Sequence, residues 1–265
     1  MNRKRSVKAQ ITLFIIMGLG IILTVGLFIY IRSQATRDIQ VEAVTGIAVL
    51  VKNFVDGCIK QTAEGAISFV GVQGGYYPIP PQEFSFINFD IPIYAVNGTV
   101  IEIPSRTEIQ DSLSDYMSDN LKYCIRNFDV FAEQGFNITY GYAAANATLG
   151  DKSVTFNIYY PLAVQQGEAV QSLSRFSATV GTSLPKLLIV AQAYMAAQQE
   201  APNQFRFKHI MDLSQDNDVI IETLAFPNNI ILFSIVDPDT QVRGINTTFM
   251  FAIQYEWQNV QVVTT

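Results

Sequence analysis

The chain contains few residues that could carry out chemistry. It has one histidine, His209, so any catalytic triad or histidine-based metal site would have to be built around that residue. We interpret His209 as a partly exposed loop residue. The sequence has neither a Gly-x-Ser-x-Gly nucleophile motif nor a glycine-rich phosphate loop. It therefore predicts no catalytic residue, no bound cofactor and no enzymatic activity.

Two groups of aspartates could offer carboxylate oxygens to a hard cation. One group is Asp212, Asp216 and Asp218, and the other is Asp237 with Asp239. Their spacing is not that of a calcium-binding EF-hand loop. Asp-Asn-Asp and Asp-Pro-Asp are also typical of tight turns, because Asp and Asn bond their own backbone and Pro restricts φ. We interpret both groups as turns and predict no metal site.

The two cysteines, Cys58 and Cys124, are expected to form a disulfide. Each lies on the apolar stripe of a predicted helix, so packing the two helices through those stripes would bring the sulfurs together. The alternative is two unpaired buried cysteines, which behave as small apolar residues and need no partner.

Four Asn-x-Ser/Thr sequences are candidate glycosylation sites. They lie near predicted turns or strands, at Asn97, Asn137, Asn146 and Asn246. Glycosylation there would be consistent with an exported protein.

The N-terminal region predicts a membrane anchor. Residues 1–9 form a basic cytoplasmic tip or leader with Arg3, Lys4, Arg5 and Lys8, and the 23 residues from Ala9 to Ile31 carry no charge. A helix of that length would span about 34 Å, enough for the hydrocarbon core, so residues 10–31 are predicted to be a transmembrane helix. Basic residues favour the cytoplasmic side, which places the body outside the cell. A cleaved secretory signal, the alternative, normally has a shorter apolar region.

The charge balance argues against nucleic-acid binding. Four of the 17 basic residues lie in the tip, so 13 remain in the rest of the chain against 23 acidic residues. An acidic body would repel the phosphate backbone.

Beyond the anchor, residues 32–70 are predicted to form an amphipathic stalk helix that continues the transmembrane helix. Apolar residues recur at spacings of three and four on one stripe, which includes Val51, Val55, Cys58 and Thr62. The opposite face carries charged residues, among them Lys52, Asp56, Lys60 and Glu64.

Residues 71–265 are predicted to form an α+β head, mostly antiparallel, with two further helices. Gly74-Gly75 and three prolines end the stalk, and Asn97-Gly98 suits a type I′ hairpin turn. One helix starts at a capping box of Thr107 and Gln110 and ends near Gly135, and another starts at Ser183. The other predicted strands cover 136–148, 153–160, 169–180, 219–226, 230–236 and 248–255.

The sequence Lys8-Ala9-Gln10-Ile11-Thr12-Leu13 resembles the processing site of archaeal type IV pilins, where a basic leader meets the apolar helix. The resemblance implies cleavage between Ala9 and Gln10. The chain also looks like single-pass surface proteins of archaea, through Asn53-Phe-Val-Asp-Gly-Cys58, Val72-Gln-Gly-Gly-Tyr76 and Tyr159-Tyr160-Pro161-Leu162. That wider resemblance implies no known activity.

These observations leave three hypotheses for the function. The first is a non-catalytic, pilin-like filament or envelope-assembly subunit that self-associates through its N-terminal helix or binds another envelope protein, since Gly18, Gly20 and Gly26 would allow close helix approach. The second is an uncleaved anchored ectodomain that binds a surface partner. An extracellular hydrolase is the third.

Overall fold

The computed structural model describes residues 46–101 and 103–257. This part of the chain combines helices with two β-sheets, so the α+β character of the head is as predicted. The helices are α1 (Ile47–Val72), α2 (Arg106–Ile125), α3 (Asp129–Ala132), α4 (Leu184–Glu200) and α5 (Phe207–Asp216). Short 3-10 turns cover Arg126–Phe128 and Pro227–Asn229.

The strands form two separate sheets. In the larger sheet the order is β1-β2-β10-β9-β8, and β3 also pairs with β2. In the smaller sheet β6 pairs with β4 and β5 along one side and with β7 along the other. Only the β2–β10 pair is parallel among the described strands. The strands are β1 (Glu83–Phe86), β2 (Phe89–Val96), β3 (Thr99–Val100), β4 (Asn137–Tyr140), β5 (Ala144–Leu149), β6 (Ser153–Gln166), β7 (Ala169–Gly181), β8 (Ile220–Phe226), β9 (Ile230–Val242) and β10 (Ile245–Gln254).

The prediction of one long N-terminal helix is wrong. The first described helix, α1, begins at Ile47, and instead of forming a stalk it packs against α2, β6, β7 and β10. Its apolar stripe is wide, since Ala48, Ile59 and Ile67 are buried as well as the predicted positions. The contact with β10 is close: a Cβ atom on Gly71 would lie 2.5 Å from the backbone oxygen of Thr248. Because α1 is covered on several sides, it is the central helix of the head.

Helix α2 begins at a capping box, two residues before the predicted one. The Ser105 hydroxyl accepts the Glu108 backbone N–H at 3.2 Å, and the Glu108 carboxylate accepts the Ser105 N–H at 2.7 Å. The helix ends at Ile125 and not near Gly135, because Arg126, Asn127 and Phe128 all have positive φ. Three consecutive residues in that region cannot continue a right-handed helix.

Side chains of α2 also hold the outer edge of β5. Gln110, Ser114 and Ser118 lie four residues apart and accept the backbone N–H groups of Leu149, Ala147 and Ala145 at 3.0, 2.8 and 3.1 Å. Four helical residues rise about 6 Å and two strand residues about 6.8 Å, so the two spacings nearly match. This interaction covers a strand edge that would otherwise be unpaired.

The larger sheet curls until its two edge strands meet. The Phe226 ring on β8 lies 4.7 Å from Phe84 and 5.5 Å from Phe86, both on β1, between ring centroids. These rings pack on a buried cluster that contains Ile91, Leu232 and Ala252. On the opposite face, Phe233 and Phe251 stack at 5.0 Å, and Tyr194 of α4 packs on Phe233 at 4.7 Å. The sheet therefore has a core on each side.

The hairpin turn agrees with the prediction, whereas residues 136–148 and the number of helices differ from it. The hairpin turn is confirmed, because Asn97 and Gly98 both have positive φ between β2 and β3. Residues 136–148 form β4 and β5, two short strands where one was predicted, and both pair with β6. The prediction of two helices after the first is wrong, since α3 and α5 are present in addition to α2 and α4.

Candidate functional site

Cys58 and Cys124 form a disulfide, which confirms that prediction. Cys58 lies in the middle of α1 and Cys124 in the last turn of α2, with their Cα atoms 5.5 Å apart. The bridge spans a sequence separation of 66 residues. It covalently joins the two helices whose apolar stripes pack together.

Aromatic packing beside the bridge holds the same two elements together. Phe54 of α1 contacts Phe128 at 6.1 Å and Phe131 at 5.3 Å, just beyond the end of α2. Cys58 is only 3% exposed. Cys124 borders a shallow polar pocket of about 250 Å³, which Arg243 reaches from the turn between β9 and β10. The disulfide is therefore buried on one side and open to the surface on the other.

The four candidate glycosylation sites lie in turns and strands. Asn97, Asn137 and Asn146 are exposed, in the β2–β3 turn, β4 and β5. Asn246 is half-buried at the start of β10, where its side-chain oxygen accepts a hydrogen bond from Gln241 at 3.0 Å. Asn97 stands in the turn of the β2–β3 hairpin.

The first aspartate group is not gathered into one site. Asp212 lies on α5 and pairs with Lys208 at 2.8 Å, one helical turn away. Asp216 ends that helix, and Asp218 sits in the following turn with φ of 49°. Within residues 46–101 and 103–257, no three histidine, cysteine, aspartate or glutamate side chains come together as metal ligands would.

The second aspartate group lies in a strand, where a turn was predicted. Asp237 and Asp239 lie inside β9, at an irregularity in its pairing with β10, and Asp237 is buried. The Asp237 carboxylate accepts hydrogen bonds from Lys186 Nζ at 2.9 Å and from the Asp239 backbone N–H at 3.0 Å. Burial by itself would raise the pKa of Asp237, but these hydrogen bonds outweigh it and lower the pKa below its usual value. Asp237 thus anchors the first turn of α4 to the sheet.

His209 is partly exposed, as predicted, but it lies on α5 and not in a loop. Its ring stacks on Tyr194 with centroids 6.2 Å apart. Its Nε2 atom is buried and has no hydrogen-bond partner in the described part of the chain.

A basic groove runs between α1 and the outer edge of β7. One wall is a single row of α1 side chains, Lys52, Asp56 and Lys60, and the other is the strand segment 175–179. The groove has a volume of about 610 Å³ and also touches Asn157 of β6. Lys52 pairs with Asp56 at 2.5 Å and stands 6.0 Å from the centre of the Phe176 ring.

The sequence predicted the charged helix face that lines this groove, but not the groove itself. The row of Lys52, Asp56 and Lys60 follows from helical periodicity alone, because residues four apart share a face. Arg175 gave no such signal, since its distance from α1 depends on how the smaller sheet packs on the helix. The sequence does not show that the charged row of α1 lies beside β7, because that depends on the tertiary positions of the helix and the strand.

The predicted anchor lies outside the described residues, as do Ala9 and Gln10 of the processing site. Among the residues that the structure does describe, no helix combines the length and the apolar character needed to cross a membrane. Comparison with protein-family models, curated proteins and solved structures finds no match to this chain.

Proposed function

We propose that this protein is an exported cell-surface protein without catalytic activity, tethered to the membrane by its N-terminal apolar segment. Its body acts by binding, as a pilin-like filament or envelope-assembly subunit. The alternative within the same class is an uncleaved anchored ectodomain that binds a surface partner.

The observation that carries this proposal is the Cys58–Cys124 disulfide. Structural disulfides form and persist in oxidising surroundings, outside the cytosol. A basic tip followed by 23 uncharged residues supports export of the chain that follows. Three exposed sequons in the same body are compatible with that location.

The location can be tested by labelling intact cells with a membrane-impermeant maleimide. An Asp151→Cys variant places a thiol in the exposed turn between β5 and β6, whereas the native cysteines are joined and unreactive. We expect the variant to be labelled in intact cells and the unaltered protein to remain unlabelled. Labelling only after the cells are permeabilised would contradict the proposal.

The choice between filament subunit and lone ectodomain depends on the mature N-terminus. The pilin-like function requires a chain that starts at Gln10, because removal of the basic tip frees the apolar segment for self-association. Intact-mass measurement of the native protein gives the answer directly. If Met1 to Ala9 is retained, the anchored ectodomain becomes the better account.

A further inference from the structure

We propose that the basic groove binds an extended, acidic segment of a partner protein, which adds to the outer edge of β7 as another strand. This inference rests on the proposed binding function and names the surface and the chemistry of its partner.

The backbone of β7 is available for such pairing. β7 pairs with β6 along one side through an antiparallel register that runs from Ala169 to Gly181. In an antiparallel edge strand, half of the backbone N–H and C=O groups point away from the neighbouring strand. Within the described structure, no hydrogen bond to another element reaches the outer side of residues 175–179.

The shape of the groove fits an extended chain. Its strand wall consists of five consecutive residues of β7, and its helix wall is the row from Lys52 to Lys60. That row is about 12 Å long, which corresponds to about four residues of a β-strand. A segment lying there would have the β7 backbone on one side and the α1 side chains on the other.

The charge of the groove selects an acidic segment. The lining of the groove includes three cationic side chains, Lys52, Lys60 and Arg175, and one carboxylate, Asp56. Asp56 is paired with Lys52, whereas Lys60 and Arg175 have no ion-pair partner in the described part of the chain. The three positive charges and one negative charge give the lining a net charge of +2, on a chain with a formal net charge of −6, which favours an acidic ligand.

The same charges disfavour pairing between two copies of this edge. A second β7 would bring Arg175 and its neighbouring lysines against an identical set, and like charges directly opposite are destabilising. Among the described residues, the exposed acidic row Asp111, Asp115 and Asp119 lies on helix α2 and cannot add as a strand. We therefore assign the groove to a different protein.

Binding can be measured with full-length, oxidised protein in detergent, by fluorescence anisotropy of a short peptide in which Glu alternates with Val and Thr. Two peptides serve as controls. One has Lys at the Glu positions, and the other has the same number of Glu residues separated by Pro-Pro pairs, so that it retains charge but lacks amide donors along both edges of a strand. We expect the acidic peptide to bind at least about tenfold more tightly than either control.

A matched pair of variants locates the site. Lys60→Glu with Arg175→Glu should weaken binding of the acidic peptide about tenfold or more. Lys122→Glu with Lys152→Glu makes the same change in net charge at exposed residues outside the groove and should leave binding unchanged. Thermal melts of both variants establish that each is folded.

Hydrogen exchange provides a readout that does not depend on the variants. Strand addition should slow exchange of outward-pointing amides within residues 175–179 when the acidic peptide is present. Absence of binding, equal binding of the Pro-containing peptide, or binding without protection of these amides would overturn the assignment. None of these results would alter the maleimide labelling of intact cells. A groove that binds no acidic peptide can therefore be distinguished from a protein that is not exported.

Discussion

At the scale of single residues, the Asp237–Lys186 pair shows how the fold uses a charge that it has buried. Asp237 is 3% exposed in its side chain, whereas Lys186 retains 35% and keeps contact with water. An unpaired buried carboxylate would be strongly unfavourable, so the hydrogen bonds from Lys186 and the Asp239 N–H are what make this position tolerable. The pair joins the beginning of α4 to β9.

We expect Asp237→Asn to destabilise the protein by about 1 to 3 kcal/mol, since it leaves Lys186 without its partner. Urea unfolding at neutral pH measures this. Asp239→Asn is the matched control, because that side chain is exposed and its backbone N–H is retained. A loss in the control equal to that in the variant would show that the ion pair is unimportant.

The same pair predicts a pH dependence. The folded pKa of Asp237 is lowered, so its stabilising contribution is fully present above the pKa of an unfolded aspartate, about 3.9. The contribution is lost as the pH falls through the lower folded value. Unfolding free energies measured between neutral and acidic pH should therefore fall less steeply in Asp237→Asn than in the unaltered protein.

At the scale of elements, α2 is joined to α1 by a covalent bond and to β5 by polar contacts. The bridge restricts the unfolded chain, whereas the contacts from Gln110, Ser114 and Ser118 satisfy backbone donors in the folded one. The serine hydroxyls also donate to the carbonyls of Gln110 and Ser114, so each hydroxyl is used as donor and acceptor.

Replacing both cysteines by alanine should lower the unfolding free energy by about 4 kcal/mol, as the loop-entropy estimate gives for a bridge of this separation. Denaturant melts of the oxidised protein and the double variant measure the difference. Reduced unaltered protein is the control and should unfold at nearly the same denaturant concentration as the variant. If all three melt together, the bridge contributes nothing to stability.

Ser114→Ala should destabilise by about 1 kcal/mol, because the Ala147 N–H loses its acceptor while the helix gains a better helix former. Hydrogen exchange should also become faster at Ala147. Ser172→Ala makes the same substitution at an exposed position of β7 and should be close to neutral. Unchanged exchange at Ala147 would contradict the role that we assign to Ser114.

At the scale of the whole molecule, the curled sheet brings together residues that are far apart in the chain. Phe84 and Phe226 meet although their strands lie at opposite edges of the sheet. The aromatic contact closes one end of the curl. An open cleft continues beside it, where Phe86, Leu224 and Met250 line a space of about 520 Å³.

Phe226→Ala should cost about 2 kcal/mol, since it removes a partly buried ring from the contact with Phe84 and Phe86. Exchange of the β1 amides should increase in parallel as that edge is released. Leu224→Ala lies two residues away on the same strand, is 51% exposed, and should cost less than about 1 kcal/mol. Equal losses from the two substitutions would argue against closure through Phe226.

Local chemistry was sufficient to predict much of this fold. Asn97-Gly98 identified a hairpin because both residues tolerate positive φ, and Ser183 with Pro185 identified the start of α4. Helical periodicity placed both cysteines on apolar stripes, from which their pairing followed. These features depend on residues that are close in sequence, where spacing alone determines which side chains share a face.

Tertiary packing determined the features that the periodicity of the sequence cannot predict. The apolar stripe of α1 is equally compatible with a stalk and with a central helix, and only the sheets and α2 around it make it central. Asp237-Pro238-Asp239 has the composition of a turn, yet it lies within β9, where Asp237 pairs with Thr247 of β10 and bonds Lys186 while Pro238 and Asp239 belong to the irregularity in the pairing. The basic groove also depends on placement, because β7 lines it together with the lysine row of α1 only when the smaller sheet packs against that helix.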